Sequence, residues 1–254
     1  MDSLPETGRI VPVSALARTG KAFWDLASES GKRVLVLNVP TTYPPHPING
    51  VMISDFLTPR GKRDFVHPPA LLDEFEKRFG PYPLYMRTYF SGNLSEAHAE
   101  RFLEELAIEL RLKFDILEYL MDRFPWDLAV FHLWGTDRIQ HDLWNLIDES
   151  HPAYDASLAR KCRQRIIEYF EAVDARIGRL RQRLGEDPTL LVISDHGFGP
   201  IHKTIDLNFW LLEQGLIRSG SFSSSCGSVC VCRISPLPRP SISSGTTGSI
   251  PFSP

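Results

Sequence analysis

Asp, Glu and Lys are absent from the stretch Ser219 to Pro254, whose only charged residues are Arg233 and Arg239. Serine dominates there, broken by Pro236, Pro238 and Pro240. Such a segment buries too little apolar surface to offset its ordering entropy, so a disordered C-terminal tail is expected over 219–254. It follows a helix-like run, Leu207 to Leu216, without linker composition between them. A translated frameshift is the favoured reading, with a flexible regulatory tail as the alternative.

Cysteine is scarce as well. Four in 254 residues make no disulfide framework. Cys162 stands alone, and Cys226, Cys230 and Cys232 lack the second ligand pair of a zinc knuckle. The reading is reduced thiols in a cytoplasmic chain. Lys and Arg number 28 against 31 Asp and Glu, a net charge of −3, so there is no basic surplus to call for a nucleic-acid partner. No apolar run approaches the roughly 20 residues of a membrane span. Met1 to Ile10 carries Asp2 and Glu6 and has no apolar core of a secretory leader.

Up to Arg218 the composition is that of an ordinary globular chain, 43% hydrophobic and 23% charged overall. Val34 to Val39, Asp127 to Leu133 and Thr189 to Ser194 are short β-branched and Leu-rich runs, expected as strands buried on both faces. Each follows a helical pattern: Lys21 to Ser30, stopped by Gly31; Ser95 to Arg123, barred from continuing by Pro125; and Tyr154 to Leu184, with Gly185 as its C-terminal signal. Helix then buried strand, repeated, predicts an α/β fold with a mostly parallel sheet flanked by helices. Residues 1–218 form the expected domain. A Pro-rich excursion over 40–93 reads as a lid or insertion, or as a surface excursion without chemistry.

In open α/β sheets ligands bind beyond the carboxyl ends of the strands. Gly135-Thr136-Asp137-Arg138-Ile139-Gln140-His141 follows the second run, and Ser194-Asp195-His196-Gly197-Phe198-Gly199 the third. Asp137 and His141, four apart, share a helix face and suit one divalent ion, with Thr136 as the expected N-cap. The plainer reading is an Asp favoured by the helix dipole beside an exposed His. Asp195 and His196 directly follow an apolar run, where charge is costly unless paired or metal-bound, and Gly197 and Gly199 permit a sharp turn. The plainer reading there is a turn Asp and a partnered His. Two Asp/His pairs at one sheet edge suggest two metal ions clamping the oxygens of a phosphoryl transfer.

These two motifs, with Trp144, resemble metal-ligand motifs of the type I phosphodiesterase/nucleotide pyrophosphatase family, within the alkaline phosphatase superfamily. Phe23-Trp24-Asp25, Asn38-Val39-Pro40-Thr41-Thr42-Tyr43-Pro44-Pro45, Asn49-Gly50-Val51-Met52 and Leu57-Thr58-Pro59 are similar to a prokaryotic branch of it. The resemblance runs from about Phe23 to Arg218. It implies an incomplete alkaline-phosphatase-like sheet and a hydrolase of phosphodiester or pyrophosphate bonds. The substrate class would be phosphate esters, nucleotides among them. Two divalent ions are implied, zinc or alternatively manganese, with Asp137 and His141 holding one and Asp195 and His196 the other.

The family's early Asp and its Thr or Ser nucleophile find no match in the residues before Phe23. Thr7, Ser14 and Thr19 follow no buried strand. The late His has no counterpart in the tail, and His202 does not match it. The chain therefore reads as a fragment that holds metal weakly and turns over poorly. A non-catalytic binding module is one alternative. A phosphomutase or sulfatase relative is another, although no Cys precedes Asp137 to serve as a sulfatase nucleophile. Elsewhere the plain readings prevail. His132 is expected as a satisfied core residue. His46 and His67 are expected in surface loop, although they could line a lid. Arg160 to Arg183, interspersed with Glu168, Glu171 and Asp174, is expected as a solvated helix face. The five Trp are expected in packing.

Overall fold

The computed structural model describes residues 14–85, 94–203 and 205–216. The chain divides into two compact units, Ile10–His202 and a second made of Met1–Arg9 with Lys203–Pro254. In the larger unit a single 3-10 turn, Ala15–Ala17, precedes α1 (Phe23–Glu29), β1 (Val34–Leu37), β2 (Gly50–Ile53), β3 (Val66–His67) and α2 (Ala70–Phe79). Then come α3 (Glu96–Arg123), β4 (Leu128–Phe131), α4 (Gly135–Ile147) and α5 (Ala156–Leu184). The described part of the smaller unit holds α6 (Leu207–Glu213), opened by Asp206, whose carboxylate accepts from the Phe209 N–H at 2.9 Å.

The sheet order is β3-β2-β1-β4, with β1 parallel to both β2 and β4 and β3 antiparallel to β2. The mixed α/β class expected from the sequence is the observed one. Two of the four strands, β2 and β3, come from the Pro-rich stretch. Gly50 is required where β2 begins: its φ is +152°, and a Cβ there would stand 1.9 Å from the Val34 carbonyl oxygen.

The strand pleat sorts the core. Leu35, Leu37, Val51 and Ile53 enter a large cluster with residues of α2, α3, α4 and α5. Val34, Val36 and Met52 face the other way, onto Trp24 of α1. β4 follows the same alternation, Ala129 and Phe131 to the large cluster, Leu128 and Val130 to the small one.

The long helices start and stop where their capping residues dictate. The Ser95 hydroxyl accepts from the His98 N–H, and the Asp155 carboxylate accepts from the N–H groups of Ser157 and Leu158. Gly185, at φ +72°, ends α5. Three ion-pair groups, Lys161–Glu96, Arg176–Asp115 and Arg183 with Glu118 and Asp122, ascend both helices together, so α3 and α5 lie parallel.

One expected strand is corrected. Thr189 to Ser194 forms no strand, and Leu191, Val192 and Ile193 are 78%, 72% and 90% exposed. A buried strand needs lateral partners for its N–H and C=O groups as well as apolar side chains. β2 and β4 occupy both edges of β1, and this segment joins no ladder. β4, although apolar throughout, is left as an edge strand with every residue half-buried. The expected tail over 219–254, with Cys226, Cys230 and Cys232, lies outside the described residues. Cys162 is a buried free thiol, and burial raises its pKa, which keeps it protonated.

An uncharged edge and an exposed apolar run are both templates for self-association. Val192→Lys with Ile193→Lys should slow aggregation on warming, read by light scattering. The melting temperature should stay put, because surface changes cost about 0.5 kcal/mol or less. A large drop in melting temperature would show that the run is buried in solution.

Candidate functional site

Strand register fixes what stands at the carboxyl edge of the sheet. Leu37 pairs with Ile53 on one side and Phe131 on the other, so Asn38, Ser54 and His132 emerge side by side. Asn38 is left-handed (φ +59°) and buried; its amide donates to the Ser54 carbonyl at 3.1 Å and its Oδ1 accepts from the Tyr82 hydroxyl at 2.9 Å. Thr41, also left-handed (φ +62°), donates its N–H to Asp55 Oδ2 at 3.1 Å.

Asp55 is fully buried, and its Oδ1 has no partner. Burial raises its pKa, and the surrounding N–H groups and the charge of Lys113 only partly oppose that. Lys113 is itself buried and paired with Glu109. His132 also departs from expectation. It is half-buried, and its Nδ1 is sequestered without a partner. Burial, then Lys113, lower its pKa, while Asp195, Asp137 and a hydrogen bond to the Asn38 backbone act in the opposite sense.

α4 springs from β4 after the short link 132–134. It buries Ile139, Leu143 and Leu146 and turns Asp137, His141 and Trp144 to the opposite face. Gly135 seats its first turn: a Cβ there would stand 1.9 Å from the buried Tyr169 hydroxyl. Thr136 is not the cap. The N-cap is Trp134, which has no side-chain cap bond, and Thr136 lies within the helix with its hydroxyl 3.5 Å from the Leu133 carbonyl oxygen. Trp134 instead stacks on Phe56 at 4.0 Å between centroids, tying α4 to the loop after β2.

The structure brings three of the four expected residues around one carboxylate oxygen. His141 Nε2 lies 3.4 Å from Asp137 Oδ1, and His196 Nε2 lies 3.9 Å from the same atom. Asp195 Oδ2 is 3.8 Å from His196 Nε2, and its side chain is 90% exposed. Gly197 and Gly199 take no positive φ. The Phe198 ring packs edge-on to His141 and to His196, 5.0 Å from each, and stacks on Trp144 at 6.2 Å. These residues, with Gln140, Asn145 and His151, line a cleft of about 420 Å3. Nothing in the sequence pattern marked His151 or the Phe198–Trp144 contact.

An Asp-x-x-x-His turn facing an Asp-His-Gly-Phe segment is an arrangement with a known home. The model of the type I phosphodiesterase / nucleotide pyrophosphatase family matches residues 6–239. The chain belongs to this family. The match extends beyond Phe23 and Arg218 at both ends of the resemblance read from the motifs. No curated protein and no solved structure matches the chain.

In this phosphodiesterase-family chain one pair of expected donors has the spacing of neighbouring metal ligands. Neighbouring donors of a tetrahedral zinc site, with bonds of about 2.0–2.2 Å, stand about 3.4 Å apart. Asp137 and His141 meet that spacing. Yet among the described residues no group of three or more His, Cys, Asp or Glu side chains is placed to hold a metal ion. Nor is any described helix long and apolar enough to cross a membrane.

Gly135→Ala should destabilise the fold by about 1–3 kcal/mol through overpacking. Adding Tyr169→Phe, which deletes the clashing oxygen, should recover part of that loss in urea unfolding; no recovery would place the strain elsewhere. For Asp55 the folded pKa is raised, so the folded state keeps its proton to higher pH than the unfolded chain does, and stability falls as pH rises through the folded value. Asp55→Asn should therefore raise the melting temperature at pH 7.5, with the gain shrinking toward pH 4. A gain equal at both pH values would contradict the buried-carboxylate cost.

Proposed function

We propose that the chain is a metal-dependent hydrolase of phosphodiester or pyrophosphate bonds. Asp137 and His141 would serve as donors to one divalent ion, and Asp195 and His196 to a second. The observation carrying this reading is the convergence of two imidazoles, within 3.4 and 3.9 Å, on Asp137 Oδ1. It stands beside an aromatic cleft in a chain of the type I phosphodiesterase family. Oxygen and nitrogen donors suit zinc, with manganese as the alternative. The substrate is a phosphate ester, and a nucleotide is compatible with the Trp144 and Phe198 rings and the Gln140 and Asn145 amides lining the cleft.

Two donors per ion fall short of the three of catalytic zinc sites, so metal affinity is low and turnover slow. No Ser or Thr in the chain is assigned as nucleophile. The open donor set and the exposed Asp195 also favour a second reading, a module that binds a phosphate ester without cleaving it.

Competition against a chromogenic chelator measures zinc binding directly, and hydrolysis of bis(p-nitrophenyl) phosphate reads activity. Weak zinc binding is expected, reduced about 10-fold or more by Asp137→Ala, with slow hydrolysis abolished by chelation. Hydrolysis indifferent to chelator and to Asp137→Ala would sink the assignment. Ester binding without any hydrolysis would establish the second reading.

A further inference from the structure

The turn between α4 and α5 is tied around two rings that line the cleft, Trp144 and His151. Asp148 Oδ1 accepts from the Ser150 N–H at 2.8 Å and from its hydroxyl at 2.7 Å, and Oδ2 accepts from the Trp144 indole N–H at 3.2 Å. The His151 N–H donates to the Asp148 carbonyl at 3.1 Å, and the His151 carbonyl accepts from the Tyr154 N–H at 2.9 Å. The Ala153 N–H donates to His151 Nδ1 at 3.0 Å. A ring nitrogen that accepts carries no proton, so the proton of the neutral imidazole sits on Nε2. Nε2 has no hydrogen-bond partner among the described residues.

His196, which lines the same cleft, is set the other way. Its Nδ1 donates to the Gly197 carbonyl at 3.1 Å, so in the neutral ring Nε2, 3.9 Å from Asp137 Oδ1, keeps the free lone pair. One imidazole offers the cleft an acceptor and the other a donor. Their places along α4 also differ. Asp137 and His141 stand in its first two turns, Trp144 comes next, and His151 follows the last residue, Ile147. At a rise of about 1.5 Å per residue, His141 and Ile147 are about 9 Å apart along the axis. His151 therefore enters the cleft from beyond Trp144, on the side away from Asp137. No Asp, Glu, Lys or Arg is among the described residues lining the cleft. A charged group at that end would meet no carboxylate, ammonium or guanidinium, whereas a single N–H answers a single acceptor atom.

We propose that His151 is a specificity-determining residue of this cleft. Its Nε2–H donates to an acceptor atom on the uncharged alcohol portion of a bound phosphate ester, seated against Trp144. The proposal rests on the phosphate-ester chemistry proposed for the Asp137 end, and it gives His151 no part in metal binding. A donor left unmet beneath a bound ligand is costly, so an ester without the acceptor is disfavoured. The hydrogen-bonded turn holds the imidazole in place before the ester arrives, which limits the ordering cost of binding.

Two diesters of equal charge and nearly equal shape test this: bis(p-acetylphenyl) phosphate and bis(p-isopropylphenyl) phosphate, which exchange a ketone oxygen for a methyl group. Each is titrated by calorimetry into the full chain in excess chelator, so that neither metal nor hydrolysis enters. His151→Asn keeps an oxygen able to accept from the Ala153 N–H and loses the cleft donor. His151→Gln places an amide N–H near the position of Nε2. His151→Asn should lower the acetyl-to-isopropyl affinity ratio about 5-fold or more with the melting temperature unchanged, and His151→Gln should recover part of it. Asp137→Ala should leave the ratio as it is. A ratio unchanged in His151→Asn would overturn the proposal, as would an equal fall in His151→Gln or no binding of either ester to the unsubstituted chain. Hydrolysis indifferent to chelator, with the ratio behaving as expected, would sink the metal assignment alone, so the two failures read differently.

Discussion

The ladder of β1 is the constraint on which the rest depends. Val34 to Leu37 are buried at every position, and the strand is hydrogen-bonded along both edges, to β2 and to β4. Two-sided burial demands helices on both faces, and α1 on one side with α2 to α5 on the other supply them. Two-sided pairing fixes the register of three parallel strands at once. That register sets Asn38, Ser54 and His132 in one row and launches α4 from the end of β4, so the placement of Asp137 and His141 follows from the four residues of β1.

The carboxyl edge carries two kinds of polar group with opposite physics. Asp55, Glu109 and Lys113 are removed from water, and their charges interact across a low-dielectric interior. His141 and His196 line an open cleft, with Asp137 beside them, and all three side chains remain in contact with water. His132 couples the two groups electrostatically: the charge of Lys113 lowers its pKa, and Asp195 and Asp137 act in the opposite sense. Half of the candidate site rides on a helix anchored by Ile139, Leu143 and Leu146. The other half rides on a segment without secondary structure, steadied by Phe198 against Trp144 and the two imidazoles.

The strand and helix patterns read from the sequence hold wherever burial and pairing agree. Val34 to Leu37 and Leu128 to Phe131 are strands, and the three helices before the buried runs begin and end within two residues of their expected limits. The reading fails at Thr189 to Ser194 because apolar composition reports a preference for burial and says nothing of an available neighbour. It passes over β2 and β3 because four- and two-residue strands amid prolines carry too little periodicity to stand out.

Legible in the sequence alone are the α/β class, the helix start at Ser95 and the helix end at Gly185, the shared helix face of Asp137 and His141, and, through its motifs, the family. These are local properties, set by side-chain period and by hydrogen bonds within a turn. The packing of distant segments brings His196 within 3.9 Å of Asp137, sets Gly135 against the Tyr169 hydroxyl, and buries Asp55 with an oxygen unpaired. Each of these joins residues 34 or 59 positions apart or buries a group beneath distant segments, and such encounters are fixed by how the helices pack on the sheet, which no local pattern records.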